Sequence, residues 1–203
     1  IQAYVDEVVI CDTGSKDKTI AIVEARGCKV VRREWKDDFS DARQASFDAA
    51  SGDVILWLDA DDFFRNGEKL RELVKINFCY KHVGMIMLPY RYEFDPHGNC
   101  VSEHWRERLI RRDAASWQGR LHETCVLKRD FAVLRSSEVW IDHDTTKERI
   151  EKSKVRNVHV LTRDRVEALK AAGFEPAAIV ETSPGNFQAW VRHDRELPSE
   201  LGT

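Results

Sequence analysis

The run Val54-Ile55-Leu56-Trp57-Leu58, followed at once by Asp59-Ala60-Asp61-Asp62, limits the folds open to this chain more than any other stretch. An unbroken apolar run has no polar face to offer water, so it predicts a strand covered on both sides. Strands of that kind lie in sheets flanked by helices, and their carboxyl ends form the crevice where such proteins bind ligands. A second run of the same form, Val8-Val9-Ile10-Cys11, closes in Asp12-Thr13-Gly14-Ser15. Two strands that each end in Asp are expected to bring carboxylates to one mouth.

The segments between them alternate in type. Lys18 to Arg26 places Ile20, Ile22 and Val23 among polar residues and stops at Gly27, which predicts a helix. Cys28 to Val31 reads as a strand, and Ser40 to Ala50 as a helix capped by Ser40 or Asp41 and ended by Ser51-Gly52. A helix over Gly67 to Phe78 then precedes a strand over Met85 to Tyr92. Asp95-Pro96-His97-Gly98-Asn99 is a turn by composition, and short strands follow as far as Val139-Trp140-Ile141. The fold class expected is α/β, a Rossmann-like, mostly parallel mixed sheet flanked by helices, with more antiparallel pairing in its second half. Lys147 to Leu161 reads as a charged helix with little apolar face.

With 203 residues, 42% of them hydrophobic, the chain can bury one substantial core and a small appendage. Lys and Arg number 32 against 35 Asp and Glu, so the formal charge of -3 excludes a whole-chain attraction to nucleic acid or an anionic membrane. The five cysteines are odd in number and lack a CxxC pair, and they read as reduced, core-filling thiols. No apolar stretch approaches the roughly 18 residues that span a bilayer. The expected location is cytoplasmic, with peripheral membrane attachment left open.

Asp59 and Asp61 are two apart, and in extended geometry both side chains point the same way, able to share a divalent cation or to divide between cation and ligand hydroxyl. The competing reading is a polar strand exit that caps the next helix. Three further segments, in order, bear on the choice: Asp12-Thr13-Gly14-Ser15-Lys16-Asp17-Lys18-Thr19, Phe39-Ser40-Asp41-Ala42-Arg43-Gln44, and Gly52-Asp53 leading into the aspartate strand. Together they resemble family-two glycosyltransferases of the GT-A fold, particularly the bacterial branch, over about residues 5 to 145.

That resemblance implies a nucleotide-sugar donor, most often a UDP-sugar, met by Asp12, Ser15, Asp17, Arg43 and Asp59. Asp12 would accept the ring N–H of the base, Arg43 would pair with diphosphate oxygens or stack on the base, and Asp59 would contact ribose hydroxyls. Asp12 as a turn residue bonded to Gly14 or Ser15, and Arg43 as a solvated helix residue, are the alternatives. Asp61 would hold Mn2+ or Mg2+, joined by a late His, here His143, with Asp62 behind it as a supporting or helix-capping group. Trp117-Gln118-Gly119-Arg120-Leu121-His122-Glu123 resembles the family's W-x-G-x-x-H-E segment. Glu123 is the implied base for an inverting transfer, and His122 would orient it. Gln44 stands where the family usually has Asn. Arg106, Arg108 and Arg112 fall on one strand face by alternation and read as solvated, with binding of an acidic acceptor as the alternative.

Relatives begin with another strand and an Asn-Glu pair, neither of which precedes Ile1, so an unpaired sheet edge and weakened donor contacts are expected. At the other end, Arg165 to Gly173 reads as a short helix, Ala178 to Glu181 as a strand, and Thr182 to Trp190 as a turn and hairpin. The segment of about 160 to 203, with Thr182-Ser183-Pro184-Gly185-Asn186-Phe187-Gln188-Ala189-Trp190, resembles the opening of plasmid replication primases. The expected organisation is a glycosyltransferase-like domain over 1–145, a helical linker over 146–162 and a primase-like fragment over 163–203. A nucleic-acid enzyme fragment, or an inactive truncated chimera, is the alternative function, and nucleic acid is expected as a partner only through that last fragment. A phosphatase using Asp59 and Asp61 fits less well, because Asp62-Phe63 stands where Thr or Gly is needed. The acceptor, whether peptide, lipid or polysaccharide, is not encoded in spacing.

Overall fold

In the computed structural model, which describes residues 1–143, helical positions 160, 167, 168 and 171, and the stretches 176–183 and 186–191, the first two apolar runs become a parallel pair. β1 (Val9–Asp12) and β2 (Lys29–Arg32) run side by side, joined by α1 (Thr19–Ala25). α2 (Phe39–Ala49) follows, and its N-cap is Asp38, whose carboxylate accepts the Asp41 amide at 3.0 Å. The expected caps lie one turn too late. Ser40 donates to Asp38 at 2.7 Å, and Asp41 is taken by Arg33, also at 2.7 Å.

The central run enters the main sheet as β3 (Val54–Leu56), and the acidic turn leads straight into β4 (Asp62–Arg65). A short 3-10 turn over Gly67–Lys69 then opens α3 (Leu70–Phe78). β5 (Val83–Phe94) and β6 (Cys100–Arg111) form a long hairpin closed by the expected turn, where the Gly98 amide donates to Asp95 at 3.0 Å. β7 (Ala115–Gln118) and β8 (Thr124–Leu127) make a separate antiparallel pair, followed by β9 (Ala132–Arg135) and β10 (Trp140–His143). The main sheet has the order β3-β6-β5-β10-β4, with β9 also on β5. It is mixed: β5 runs parallel to β9 and β10, while β3–β6, β5–β6 and β4–β10 are antiparallel.

Alternation along the strands divides the core between two faces. Ile86, Leu88, Leu109 and Ile141 pack with Leu70, Leu73 and Phe78 of α3. Met85 and Ile110 point the other way, onto Phe47 of α2 and onto Trp57, Trp117 and Cys125. Burial pushes the Cys125 thiol up to about 12, with Glu107 adding to the shift, as suits a filling residue. All five cysteines are free. Val9 of β1 and Val54 to Leu58, in and just after β3, help to line a groove of about 600 Å³.

The chain divides into two units, Ile1–Thr146 and Lys147–Thr203. In the second, β11 (Pro176–Ser183) and β12 (Asn186–Val191) form the expected antiparallel hairpin. Most of the expected helices over Lys147–Leu161 and Arg165–Gly173 lies outside the described residues, positions 160, 167, 168 and 171 being helical. No helix among the described residues is long and apolar enough to cross a membrane.

Candidate functional site

The turn between β3 and β4 carries the acidic cluster and holds itself by main-chain bonds. The Asp62 amide donates to the Asp59 carbonyl at 3.1 Å, and the Asp59 amide donates to the Asp62 carboxylate at 2.9 Å. This closure points the Asp59 side chain toward α2 and that of Asp62 into the sheet, with Asp61 at the rim.

On the α2 side, Arg43 is the hub. Its Nε donates to Glu123 at 2.6 Å and its terminal nitrogen to Asp59 at 2.7 Å. The guanidinium lies 4.3 Å from the Trp57 ring centroid and 5.2 Å from that of Trp117. Burial works against the charge, but the carboxylates of Asp59 and Glu123 outweigh it and raise the guanidinium above its ordinary value. The solvated alternative for Arg43 is therefore replaced by a caged one, with 19% of the side chain exposed. Gln44 accepts the Trp117 amide at 3.0 Å and so ties α2 to β7.

Glu123 reaches this cage because the loop before it is sharply bent. Gly119 and His122 have φ of 92° and 56°, and a left-handed His costs backbone strain. His122 is exposed, so its observed contribution to Glu123 is the bend of the chain, while the carboxylate is gripped by Arg43.

On the sheet side, Asp62 is fully buried and accepts from Arg108 at 2.9 Å, while His143 Nδ1 lies 3.0 Å away. Burial disfavours the charged carboxylate, but the His143 hydrogen bond and the Arg108 charge prevail and hold it below its usual value. His143 is raised above its ordinary value, chiefly by the bond to Asp62 and against the effect of burial. Asp62 thus belongs to the centre of the site and caps no helix, since a strand begins at it. Arg108 corrects the solvated reading: its side chain is 1% exposed, 3.7 Å from the Trp57 ring and 4.5 Å from Tyr90. The reason is a bulge, because Ile86 pairs with Leu109 and Met87 with Glu107, leaving Arg108 as the extra residue and turning its side chain inward.

Asp61, Asp62 and His143 bring one ligand atom each to within 4.8 Å of one another. Two carboxylates and an imidazole form a donor set that fits Mn2+ or Mg2+, which complete their shell with water and phosphate. Asp61 lies 3.8 Å from His143 Nδ1, and Asp62 is shared with Arg108 and the Asp59 amide.

The turn after β1 forms its own group. Asp12 accepts the Ser15 amide at 3.0 Å and the Gly14 amide at 3.3 Å, and the Ser15 bonds in particular hold its carboxyl below the usual range. Asp17 accepts the Thr19 amide at 2.9 Å and opens α1. The turn role of Asp12 is thus present. The structure brings together Arg43, Asp59, Glu123, Asp61 and His143. It buries Asp62, named from the sequence as a supporting group, together with Arg108, and adds Trp57, Trp117 and Tyr90, to which the sequence reading assigned no role in the site.

The family model for glycosyl transferase family 2 matches residues 2–132, and that for the RepB DNA-primase N-terminal domain matches residues 142–203. A TPR repeat-containing protein of Synechococcus elongatus is 48% identical over 62 residues, covering 30% of this chain and 15% of that protein. The glycosyltransferase SunS of Bacillus subtilis is 24% identical over 123 residues, 58% of this chain and 28% of that one. The chain therefore spans under a third of these relatives' lengths. Among solved structures, glucosyl-3-phosphoglycerate synthase of Mycobacterium tuberculosis, in complex with Mn2+, UDP-glucose and phosphoglyceric acid, superposes with a TM-score of 0.51 at 18% identity, covering 92% of this chain and 76% of that one. The fold is GT-A, and on the extent of the family match the chain belongs to glycosyl transferase family 2.

Proposed function

We propose that the protein moves a sugar from a nucleotide-sugar donor, a UDP-sugar by preference, to an acceptor by metal-assisted inverting displacement. The observation that carries this reading is the Arg43 cage, which fixes Asp59 from the donor turn and Glu123 from the β7–β8 loop on one guanidinium. A carboxylate for the ribose and a carboxylate for the acceptor proton are thereby held in one place. The structure of the mycobacterial synthase with Mn2+ and UDP-glucose supports the choice of donor and ion by analogy of fold alone.

In the proposed reaction Asp12, with Ser15 and Asp17 shaping its turn, accepts the ring N–H of the uracil, and Asp59 accepts the ribose hydroxyls. Arg43 spends Nε and one terminal nitrogen on protein carboxylates, which leaves one guanidinium nitrogen for the donor diphosphate. Glu123 uses Oε1 on Arg43, so Oε2 takes the acceptor proton as the acceptor atom attacks the anomeric carbon and the bond to the diphosphate oxygen breaks. His122 sets the bend that aims it. Asp61 and His143 would hold Mn2+ or Mg2+, and such an ion neutralises charge on the departing diphosphate. We place the 1–145 domain as the catalytic part, the 146–162 segment as a linker and the 163–203 fragment as primase-like. A second reading, a nucleic-acid enzyme fragment, has the match over residues 142–203 in its favour, but it gives the Arg43 cage no role.

The test is donor hydrolysis and UDP binding across a panel of sugar nucleotides, with and without Mn2+, for the chain and for Asp61→Ala. UDP should raise the melting temperature only with Mn2+, and Asp61→Ala should abolish that rise. Metal-dependent hydrolysis surviving in Asp61→Ala would remove Asp61 from the ion, and salt-sensitive oligonucleotide binding without a UDP effect would favour the second reading.

A further inference from the structure

The β5–β6 hairpin carries a row of side chains away from the acidic turn that the proposed reaction does not use. His104 pairs with Tyr90 in the ladder and Arg106 with Leu88, and with no register shift between them the two project from one face of β6. The His104 ring centroid lies 5.3 Å from that of Tyr90 and 5.0 Å from that of Tyr92. Tyr90 lies 5.4 Å from the His143 ring and bonds through its hydroxyl to Asp62, so the row starts at the acidic cluster. Tyr92 accepts the Ser102 hydroxyl at 2.6 Å, which steadies its ring at the surface. Burial, then the charges of Arg106 and Arg108, hold His104 below its ordinary value, so at neutral pH the imidazole is uncharged and offers one donor and one acceptor.

Arg106 supplies a cation whose charge is loosely met. Three guanidiniums approach the Trp57 ring: Arg108 at 3.7 Å, Arg43 at 4.3 Å and Arg106 at 5.7 Å. The first two are engaged, Arg108 by Asp62 and Arg43 by Asp59 and Glu123. Among the described residues the ion-pair contact of Arg106 is Glu107 at 3.5 Å, and its buried Nε has no hydrogen-bond partner. A donor left in that state costs stability, and an anion held in the guanidinium fork removes the cost. The side chain is 32% exposed, so a ligand can reach it. Glu107 also accepts from Thr124 at 3.4 Å, and Thr124 follows Glu123, which sets Arg106 beside the loop that presents the proposed base.

We infer that Tyr92, His104 and Arg106 form the acceptor subsite of the proposed transfer and select a saccharide that carries an anionic group, a phosphate or a carboxylate. The inference rests on the proposed reaction, because it is Glu123 as base that puts the acceptor on this side. The electron-rich faces of the two rings meet the polarised C–H bonds of a sugar ring, the neutral imidazole exchanges hydrogen bonds with hydroxyls, and the guanidinium pairs with the anion through two parallel N–H bonds. A neutral sugar would leave the Arg106 Nε bare, and a simple anion would leave the ring faces uncovered.

The probes are glucose 6-phosphate, glucuronate and glucose, titrated into the full chain without nucleotide or metal and followed by the ring-proton resonances of His104 and Tyr92. At least one charged sugar should shift these signals and bind at least about tenfold more tightly than glucose, and the tighter of the two identifies phosphate or carboxylate as the group read. Arg106→Gln should bring the charged sugars down to the affinity of glucose, Arg106→Lys should restore part of the advantage, and Tyr92→Leu should weaken the charged sugars about threefold. Charged sugars that bind no more tightly than glucose, or an advantage that survives in Arg106→Gln, would overturn the inference. Inorganic phosphate binding as tightly as glucose 6-phosphate would show an anion site alone and overturn the saccharide assignment. Loss in Arg106→Gln of a melting-temperature rise given by UDP with Mn2+ would move Arg106 to the donor and overturn the acceptor assignment. If UDP with Mn2+ has no effect on the unsubstituted chain, it is the proposed transfer that fails, and the sugar titrations, which need neither, still decide the subsite.

Discussion

Arg108 and Asp62 meet at 2.9 Å with side chains 1% and 0% exposed, so neither charge can turn to water when the other is removed. Arg108→Met keeps bulk between the rings of Trp57 and Tyr90 but leaves the Asp62 charge to His143, the Asp59 amide and the Tyr90 hydroxyl, none of them a fixed cation. Breaking a buried pair from one side costs about 3–5 kcal/mol, and the remaining His143 contact argues for the lower end, about 3 kcal/mol. For the Ile1–Thr146 unit, an unfolding entropy of about 2.1 cal/mol/K per residue sums to about 0.3 kcal/mol/K, so the melting temperature should fall by about 10 °C. Asp62→Asn alone should be comparably harmful, because it leaves the Arg108 guanidinium buried beside a neutral amide. The double variant removes both charges and should be more stable than the sum of the singles implies, by about 2 kcal/mol. Urea and thermal unfolding of the four proteins, followed by circular dichroism, measures this coupling. Single effects that add to within about 0.5 kcal/mol would refute the claim that the two side chains form one buried unit.

Arg43→Lys keeps a charge but cannot span Glu123 and Asp59 while lying over Trp57, so kcat for sugar transfer should fall about a hundredfold with a smaller change in donor KM. Steady-state kinetics against donor concentration checks it, and an unchanged kcat removes Arg43 from the positioning of Glu123. His143 is raised above its ordinary value near 6.5, so its bond to Asp62 stabilises the fold fully below that pH and loses this contribution as pH rises through the folded-state value. Melting temperatures in metal-free buffer should therefore show a decline on the alkaline side that His143→Asn flattens. In Gly84→Ala the new methyl group would sit 2.5 Å from Phe131 Cβ, too close for contact, and should cost about 1–3 kcal/mol in urea unfolding.

The parts of the site that were legible in sequence are those delivered by strand ends and helix starts. Asp59 and Asp61 follow an apolar run that has no alternative to burial, and Arg43 falls one turn into a helix whose pattern is plain. Arg108 was illegible for a definite reason. Period-two reading assigns it to the face of Arg106 and Arg112, and a single bulge opposite Ile86 and Met87 reverses that assignment without leaving a Gly or Pro as a marker. Asp38 was missed as the cap of α2 because Ser40 and Asp41 offer equally good caps two and three residues on, and the choice rests on the Arg33 contact that removes Asp41 from competition. The mixed pairing of the sheet likewise depends on the long β5–β6 hairpin, whose partners are remote in sequence.

The turn from Asp59 to Asp62 joins two networks that have different tasks. Asp59 answers to Arg43 and through it to Glu123; Asp62 answers to Arg108 and His143. The two residues are bonded to each other by the Asp59 amide to the Asp62 carboxylate and the Asp62 amide to the Asp59 carbonyl, so a displacement of either side chain is felt by the other within one turn. In the proposed reaction the Asp62 side faces the ion-binding pair and the Asp59 side faces donor and base, and both must be correct at the same moment. A substitution at Asp62 that keeps the fold should therefore weaken ion binding and also loosen the Arg43 cage, seen as faster amide exchange at Asp59 and a fall in kcat at saturating Mn2+. If Asp62→Asn lowers only the apparent Mn2+ affinity and full kcat returns at high ion concentration, the turn does not couple the two networks, and Asp59 and Asp62 act independently despite their shared hydrogen bonds.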